Sequence, residues 1–586
     1  VKSALAKYED TLEFATPMPV AKAVENVELR PSQIKSWLDE LPRANPDLSA
    51  ARVVGALENF HQQNLDDEQR LEALEAYRLP VASIVEELQA KFETQSIPLS
   101  PGTKESVDLA QSLITGMATG YMLVARNLVE QNESIISSDH KELAIQRSIY
   151  HLGQVLLNAY LTYRPAVRGV WADLYELYRY AEHDALLLEP IPMEGCGIVD
   201  SVTTIEASFQ HILLVAAGDP AGLQMGECKR LYELLKRVQE EVNITTNLSF
   251  PDPVGIFVFD LTSDDPPLPL AATPDIHASP SLRSVDCLRP AKKLHGELKS
   301  RNRIHYANTS RMIDVSSLEL LRRTGRKWAG NPARRQSVRS PQMLDLPVCS
   351  GIAGTHYYAY NQQPFSYFEQ RCRGIEPEQE ADAASNDEVF VDLNTPPDKG
   401  GWIQSTTASE SSDADKSDDR VEIHDSTVAP RLHHLQIARV MDESAGGVRL
   451  RLFTGSMVRL MVGNIVAMQY GAGESWRIGM VRWLNASAKN YVDVGIMFLS
   501  PSMEPVAIQR LDADSEDPTL VPALLLPSNQ TLGTPETIIV PRGTHNMGDE
   551  LLIISEQGSI RSLKPMQLKE RTSSFDQIVL DTVDEH

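Results

Sequence analysis

Between about Asp47 and Val242 the apolar residues recur at spacings of three and four, the period that returns side chains to one face of an α-helix. After Ser106, the residues Leu109, Leu113, Ile114, Met117, Tyr121, Val124 and Leu128 fall on one stripe and predict a core-facing helix. Gly116 and Gly120 within it form a GxxxG, which predicts a close helix crossing. The segments Leu174-Tyr175-Glu176-Leu177, in a helix opened by Trp171, and Leu231-Tyr232-Glu233-Leu234, after Asp219-Pro220, resemble each other and hint at a helical repeat. A helical bundle or repeat-like domain is expected over residues 1–250, either a protein-interaction scaffold or a support for the rest.

The period changes after Pro251. Gly255 to Asp260 is a short β-type run, and the Pro-rich stretch from Asp264 to Pro274 predicts a loop. A helix is expected from Ser316 to Trp328, ending near Gly330 and Pro332, so residues 251–333 form a mixed, basic connecting domain. Further on, strand candidates follow closely: Leu435 to Val440, Val448 to Leu452, Asn464 to Met468, Ile478 to Trp483 and Val492 to Leu499. They predict a small antiparallel barrel within 334–500. A last set, Ala523 to Leu526, Thr537 to Val540, Leu551 to Ser555, Ser559 to Leu563 and Gln577 to Leu580, predicts a C-terminal β-module over 501–586. The fold class is α+β multidomain: an all-α N-terminal region, an antiparallel β-barrel and a second small β-module.

An acidic, low-complexity tract from about Glu376 to Asp425 interrupts the barrel and reads as a disordered insertion. With Val348 to Tyr360 taken as the first barrel strand, it becomes an insertion between strands, which loop-closure entropy tolerates.

Charge narrows the functional classes. The chain has 55 Lys and Arg against 80 Asp and Glu, a formal net charge of -25, and such a field repels DNA, RNA and anionic lipid. Yet thirteen basic residues lie between Ala291 and Ser340 with only Glu297, Asp314 and Glu319 among them, a local island where an anionic ligand can bind. The five cysteines, Cys196, Cys228, Cys287, Cys349 and Cys372, are odd in number and far apart, which argues against a disulfide framework or a zinc site and for a reducing compartment. No apolar run reaches the length of a membrane span, and no signal-type segment opens the sequence. The expectation is a soluble, cytoplasmic protein without membrane insertion.

Two motifs stand out against this background. Arg334-Arg335-Gln336-Ser337-Val338-Arg339 is an RRxxxR, and Asp442-Glu443-Ser444-Ala445-Gly446-Gly447 is a DxSxxG. A competing RxxxR, Arg322 to Arg326, lacks the doubled arginine and lies in the predicted helix. Together the two motifs, with Ile478-Gly-Met-Val-Arg-Trp483 and Val494-Gly-Ile-Met-Phe-Leu499 as later strands, resemble the PilZ domain, a β-barrel family that binds cyclic di-GMP. The likeness covers roughly 334 to 500, although about a hundred residues separate Arg339 from Asp442, more than the family's usual strand and turn.

The ligand implied by the resemblance fits the residues. A cyclic dinucleotide has two phosphates and two flat purines, and guanidinium groups fork onto the first and stack on the second. Arg334, Arg335 and Arg339 would supply those contacts. By the same resemblance Asp442 accepts from a guanine edge, Ser444 hydrogen-bonds the ligand, and Gly447 lets backbone approach it closely. No catalytic residue, cofactor or metal is expected, since His433-His434 and His356 lack ligand-like spacing and no nucleotide-hydrolysis or protease motif is present. Two functions stay open: a cyclic di-GMP effector whose helical region meets a protein partner, or a ligand-independent scaffold with a degenerate barrel.

Overall fold

The computed structural model describes residues 12–19, 30–131, 138–192, 202–273, 276–305, 315–329, 339–375, 435–453, 458–471, 473–487, 491–510, 519–529, 533–544, 551–563 and 565–580. Arg334, Arg335 and the acidic tract lie outside the described residues.

Eight helices open the chain: α1 (Pro31–Asp39), α2 (Pro46–His61), α3 (Asp67–Ala90), α4 (Pro101–Gln131), α5 (Ser138–Leu161), α6 (Val170–His183), α7 (Ile205–Ala217) and α8 (Glu227–Leu235). Local chemistry starts several of them. Asn45, Asp66 and Thr204 each accept a backbone N–H from the first turn of α2, α3 and α7. The predicted stripe of α4 is buried at Leu113, Ile114, Met117, Tyr121 and Val124. The GxxxG is a close crossing: a Cβ on Gly120 would lie 2.6 Å from Leu74 Cδ2, and one on Gly116 would lie 3.2 Å from Leu57 Cδ1. The ladder β1 (Ile191–Pro192) with β2 (Val202–Thr203) precedes α7.

The segment that follows forms a four-stranded sheet from β3 (Ile244–Thr245), β4 (Ile256–Asp260), β5 (Leu268–Pro269) and β6 (Leu282–Asp286), then α9 (Leu288–His305) and α10 (Val315–Ala329). It shares one hydrophobic core with the helices. Phe259 of β4 stacks 5.3 Å from Tyr175 of α6, and Leu320, Leu321 and Trp328 of α10 are buried in the same cluster. Three cations of the basic island are used here: Lys293 pairs with Glu241, Arg323 with Glu227 and Lys327 with Asp219.

Six strands close a barrel in the order β10-β11-β12-β9-β8-β7: β7 (Ser340–Ser350), β8 (Gln436–Ser444), β9 (Gly447–Phe453), β10 (Ile465–Met468), β11 (Arg477–Ala486) and β12 (Tyr491–Ser500). The first strand differs from the expectation of Val348 to Tyr360. The strand starts at Ser340 and stops at Ser350, where Gly351 turns the backbone to φ +81, and Ile352–Ala359 is helix α11, followed by α12 (Phe365–Cys372). Only Leu346 to Cys349 of β7 reads as strand-like in the sequence, because Pro341 and Pro347 each withhold a ladder donor.

Seven more strands, β13 (Glu504–Arg510), β14 (Thr519–Leu526), β15 (Thr537–Pro541), β16 (Leu551–Ile554), β17 (Ile560–Leu563), β18 (Pro565–Arg571) and β19 (Phe575–Leu580), make one antiparallel sheet ordered β17-β16-β13-β14-β15-β19-β18. The three parts are packed together. Ile97 and Leu460 exchange backbone hydrogen bonds of 3.0 and 2.8 Å between the helical region and the barrel, and Ala486 N–H donates to the Tyr163 carbonyl. Ile465, Ile478 and Met480, on the outside of β10 and β11, are buried against Leu524, Leu526, Ile539 and Phe575 of the last sheet.

Candidate functional site on the uncovered barrel face

Alternation along β9 decides which side chains face outward. Val448, Leu450 and Leu452 fill the barrel with Val440, Val481, Val494 and Ile496, so Arg449 and Arg451 must project from the outer surface. That surface is covered by the C-terminal sheet at β10 and β11. Among the described residues it is left open over β7, β8, β9 and one end of β12, and Arg339, Asp442, Ser444 and Gly447 lie here.

Register assembles them in two rows. Pro341 of β7 pairs with Asp442 of β8, which pairs with Arg449 of β9, which pairs with Gly495 of β12, which pairs with Trp483 of β11. The second row runs Asp345, Arg439, Arg451, Asp493. Asp442 thus meets Arg449, Asp345 meets Arg439 and Asp493 meets Arg451 across the strands, while Gly495 leaves room for Trp483.

Arg339 precedes β7 and donates through Nη1 to Asp442 Oδ1 at 2.5 Å, across 103 positions of sequence. The end of one predicted motif and the start of the other are thus in contact, with both side chains partly open to solvent. Ser444 and Gly447 close the β8–β9 hairpin. Ser444 Oγ donates to the Gly447 carbonyl at 3.2 Å, and Phe498 N–H binds the Gly446 carbonyl and pins the tip to β12. Gly447 is needed by the barrel itself, since a Cβ there would sit 2.3 Å from the Ile496 carbonyl oxygen. Arg334 and Arg335, as noted, fall outside the described residues.

Sequence reasoning missed the supporting cast. Arg449 Nη2 donates to Asp493 Oδ2 at 2.5 Å and its Nη1 lies 3.9 Å from Asp442 Oδ2, while its Nε is buried with no hydrogen-bond partner. Arg451 holds Asp493 in two bonds, of 2.7 and 2.9 Å, and lies 3.8 Å over the Tyr491 ring. Burial works against the Asp493 carboxylate, but the hydrogen bonds from Arg451 and Arg449 outweigh it and hold its pKa below the usual value. The indole of Trp483 lies over Gly495, where a Cβ would come within 1.9 Å of its Nε1. The alternating R-L-R of Arg449 to Arg451 was the available signal, visible once β9 had been placed.

No group of three or more His, Cys, Asp or Glu residues among those described is arranged to hold a metal. No described helix is long and apolar enough to cross a membrane. The surface is instead a shallow, guanidinium-rich face with one carboxylate presented beside two arginines and an aromatic ring nearby. Such a set suits a flat, phosphate-bearing ligand with hydrogen-bond donors on its ring edge.

Comparison with known proteins agrees in all three parts. Three family models match in order: the N-terminal domain of the cyclic-di-GMP receptor FimW at residues 32–251, its middle PilZ domain at 256–505, and the FimW C-terminal beta-barrel domain at 506–582. The cyclic-di-GMP receptor FimW of Pseudomonas aeruginosa is 25% identical over 581 residues, covering 97% of this chain and 93% of that protein. No solved structure matches the chain.

Proposed function

Because this chain belongs to the PilZ-domain family, in the three-part arrangement of FimW, we propose that it is a cytoplasmic cyclic di-GMP receptor that acts by binding and not by catalysis. The observation that carries the reading is the Arg339–Asp442 contact on a barrel face that the described residues of the C-terminal sheet do not cover.

The proposal assigns each group a task. Arg334, Arg335 and Arg339 engage phosphates and purine faces. Asp442 accepts from the donor edge of a guanine, Ser444 adds a hydroxyl, and Gly447 keeps the hairpin tip flat. The face contributes Arg449 as a further guanidinium, and Trp483 as a ring surface beside it. Without ligand Arg339 neutralises Asp442. On binding, a phosphate takes the guanidinium while a guanine edge takes the carboxylate, so one ion pair is exchanged for two charge-assisted contacts. Arg339 stands between α10 and β7 in the chain, and α10 is tied to α8 by Arg323 and Glu227. Through that path the nucleotide alters the surface on which the helical region meets a protein partner.

Calorimetric titration with cyclic di-GMP at moderate salt tests the reading. Wild-type binding is expected at micromolar Kd or tighter, with Arg339→Ala and Asp442→Ala each at least about tenfold weaker, as for loss of a charge-assisted bond of ~1.5–3 kcal/mol. Absence of binding in the folded wild type would overturn the receptor assignment and leave a ligand-independent scaffold.

A further inference from the structure

The helical region contains a cavity of about 180 Å³ between α3, α4, α5 and α8, far from the barrel face. Its apolar walls are Val81, Val85, Ile114 and Leu157, which alone would make it a packing defect. Its polar lining is the unexpected part. Gln89, with 4% exposure, and His151, with 5%, each line the cavity and each have a buried side-chain nitrogen, Nε2, without a hydrogen-bond partner. Buried polar groups left unpaired cost about 1–3 kcal/mol each, so two around one cavity call for an occupant.

We propose that this cavity is a second ligand site, one that takes a small organic carboxylate with a ring-sized apolar body. The argument is independent of the nucleotide reading. Gln89 Nε2 is a donor, and Tyr232 Oη accepts from Gln154 Nε2 at 2.5 Å, which frees its own proton to donate. Burial pushes the His151 imidazole down to about 3, so it is neutral and offers one further polar nitrogen without adding charge. The rim carries Lys229 and Lys236, the latter 4.8 Å over the Tyr232 ring, and the carboxylates Glu86 and Glu233, so its charges balance and the donors inside decide what binds. Lys229 is held by Glu93 at 3.1 Å, whereas the exposed Lys236–Glu233 pair, at 2.8 Å, exchanges at little cost and leaves Lys236 able to turn to a ligand. Donors inside and aliphatic walls select an acceptor-bearing ligand. The volume matches one ring, since an apolar cavity of about 150 Å³ holds benzene.

The probes are benzoate and benzylamine, followed by ligand-observed NMR on the full chain. Benzoate is expected to bind saturably with a Kd on the order of 1 mM or below, the range open to so small a molecule. Benzylamine, of equal size and opposite charge, is expected to bind at least tenfold more weakly. Gln89→Leu removes the unpaired donor with little change in volume and should weaken benzoate about tenfold. Ala82→Trp, at an exposed lining position, should abolish binding while leaving the thermal unfolding unchanged, so it decides the matter even if Gln89→Leu fails to fold. Non-saturable benzoate, equal binding of the two probes, or an Ala82→Trp protein that binds like wild type would each overturn the site and leave a water-filled cavity.

Discussion

Gly447 and Gly495 are fixed by what stands opposite them. The carbonyl of Ile496 approaches Gly447 so closely that any side chain would force the β9–β12 pair apart. Gly447→Ala should therefore destabilise the barrel by about 2 kcal/mol, the usual cost of overpacking, and lower the melting temperature even where no ligand is present. Gly495 differs, because the obstacle is the ring of Trp483 and not backbone. Gly495→Ala is expected to leave the fold intact but displace the indole, shift the tryptophan fluorescence and weaken cyclic di-GMP about tenfold if the ring is a contact surface. An unchanged affinity with a shifted spectrum would remove Trp483 from the proposed site. At this scale the DxSxxG glycine was legible as a close approach, but what approaches it in the structure is the neighbouring strand.

Among elements, the row Asp345, Arg439, Arg451, Asp493 ties four strands, with the two central arginines each held by a carboxylate on its outer side. Asp493 is its most buried member, and removing its charge by Asp493→Asn leaves Arg451 without its carboxylate and Arg449 with only the 3.9 Å approach to Asp442; the expected loss is about 3 kcal/mol. Because its folded pKa is depressed below the ordinary 3.8, its contribution is complete above about pH 4–5 and disappears as the pH falls through the lower folded value. Acid titration of barrel unfolding should accordingly steepen below pH 4 in the wild type and flatten in Asp493→Asn. The sequence was readable for elements with clean alternation: β9, β11 and β12 lie within a few residues of their predicted positions. It caught only the strand-like run Leu346 to Cys349 of β7 and missed β13 and β18; these strands carry Pro341 and Pro347, Pro505 and Pro565 and lack a regular apolar period. It also failed for α11 and α12, each only eight residues and too short to show a helical period.

Across the whole molecule, the three parts should yield to acid in sequence. His61, His151 and His211 are buried in the helical region, chiefly by which their pKa values are pushed to about 4, 3 and 4. Unfolding releases them to about 6.5, so each subtracts about 1.4 kcal/mol per pH unit once the pH drops below that value, until its folded pKa is reached. The helical region is expected to lose stability between pH 6.5 and 4, before the barrel does. Circular dichroism melts over that range, following the helical and β signals separately, check it: a single coincident transition at every pH would show that the parts unfold as one. The overall order of helices, barrel and β-module was legible from period alone. The shared core of residues 256–329 with the helices was not, because which faces meet is a property of the assembled chain. The joint between β7 and β8 has a different kind of consequence. The chain leaves the barrel at Ser350 and returns at Gln436, and before it returns α11 and α12 are moored to the last sheet through Phe368, Arg371–Glu556 and Cys372 Sγ to the Ser555 carbonyl. Each doubling of the remaining connection costs only about 0.6 kcal/mol. Inheritance can therefore lengthen, shorten or rewrite the stretch between those moorings almost freely, and a fluorescent domain spliced into it should leave the rest of the architecture in place.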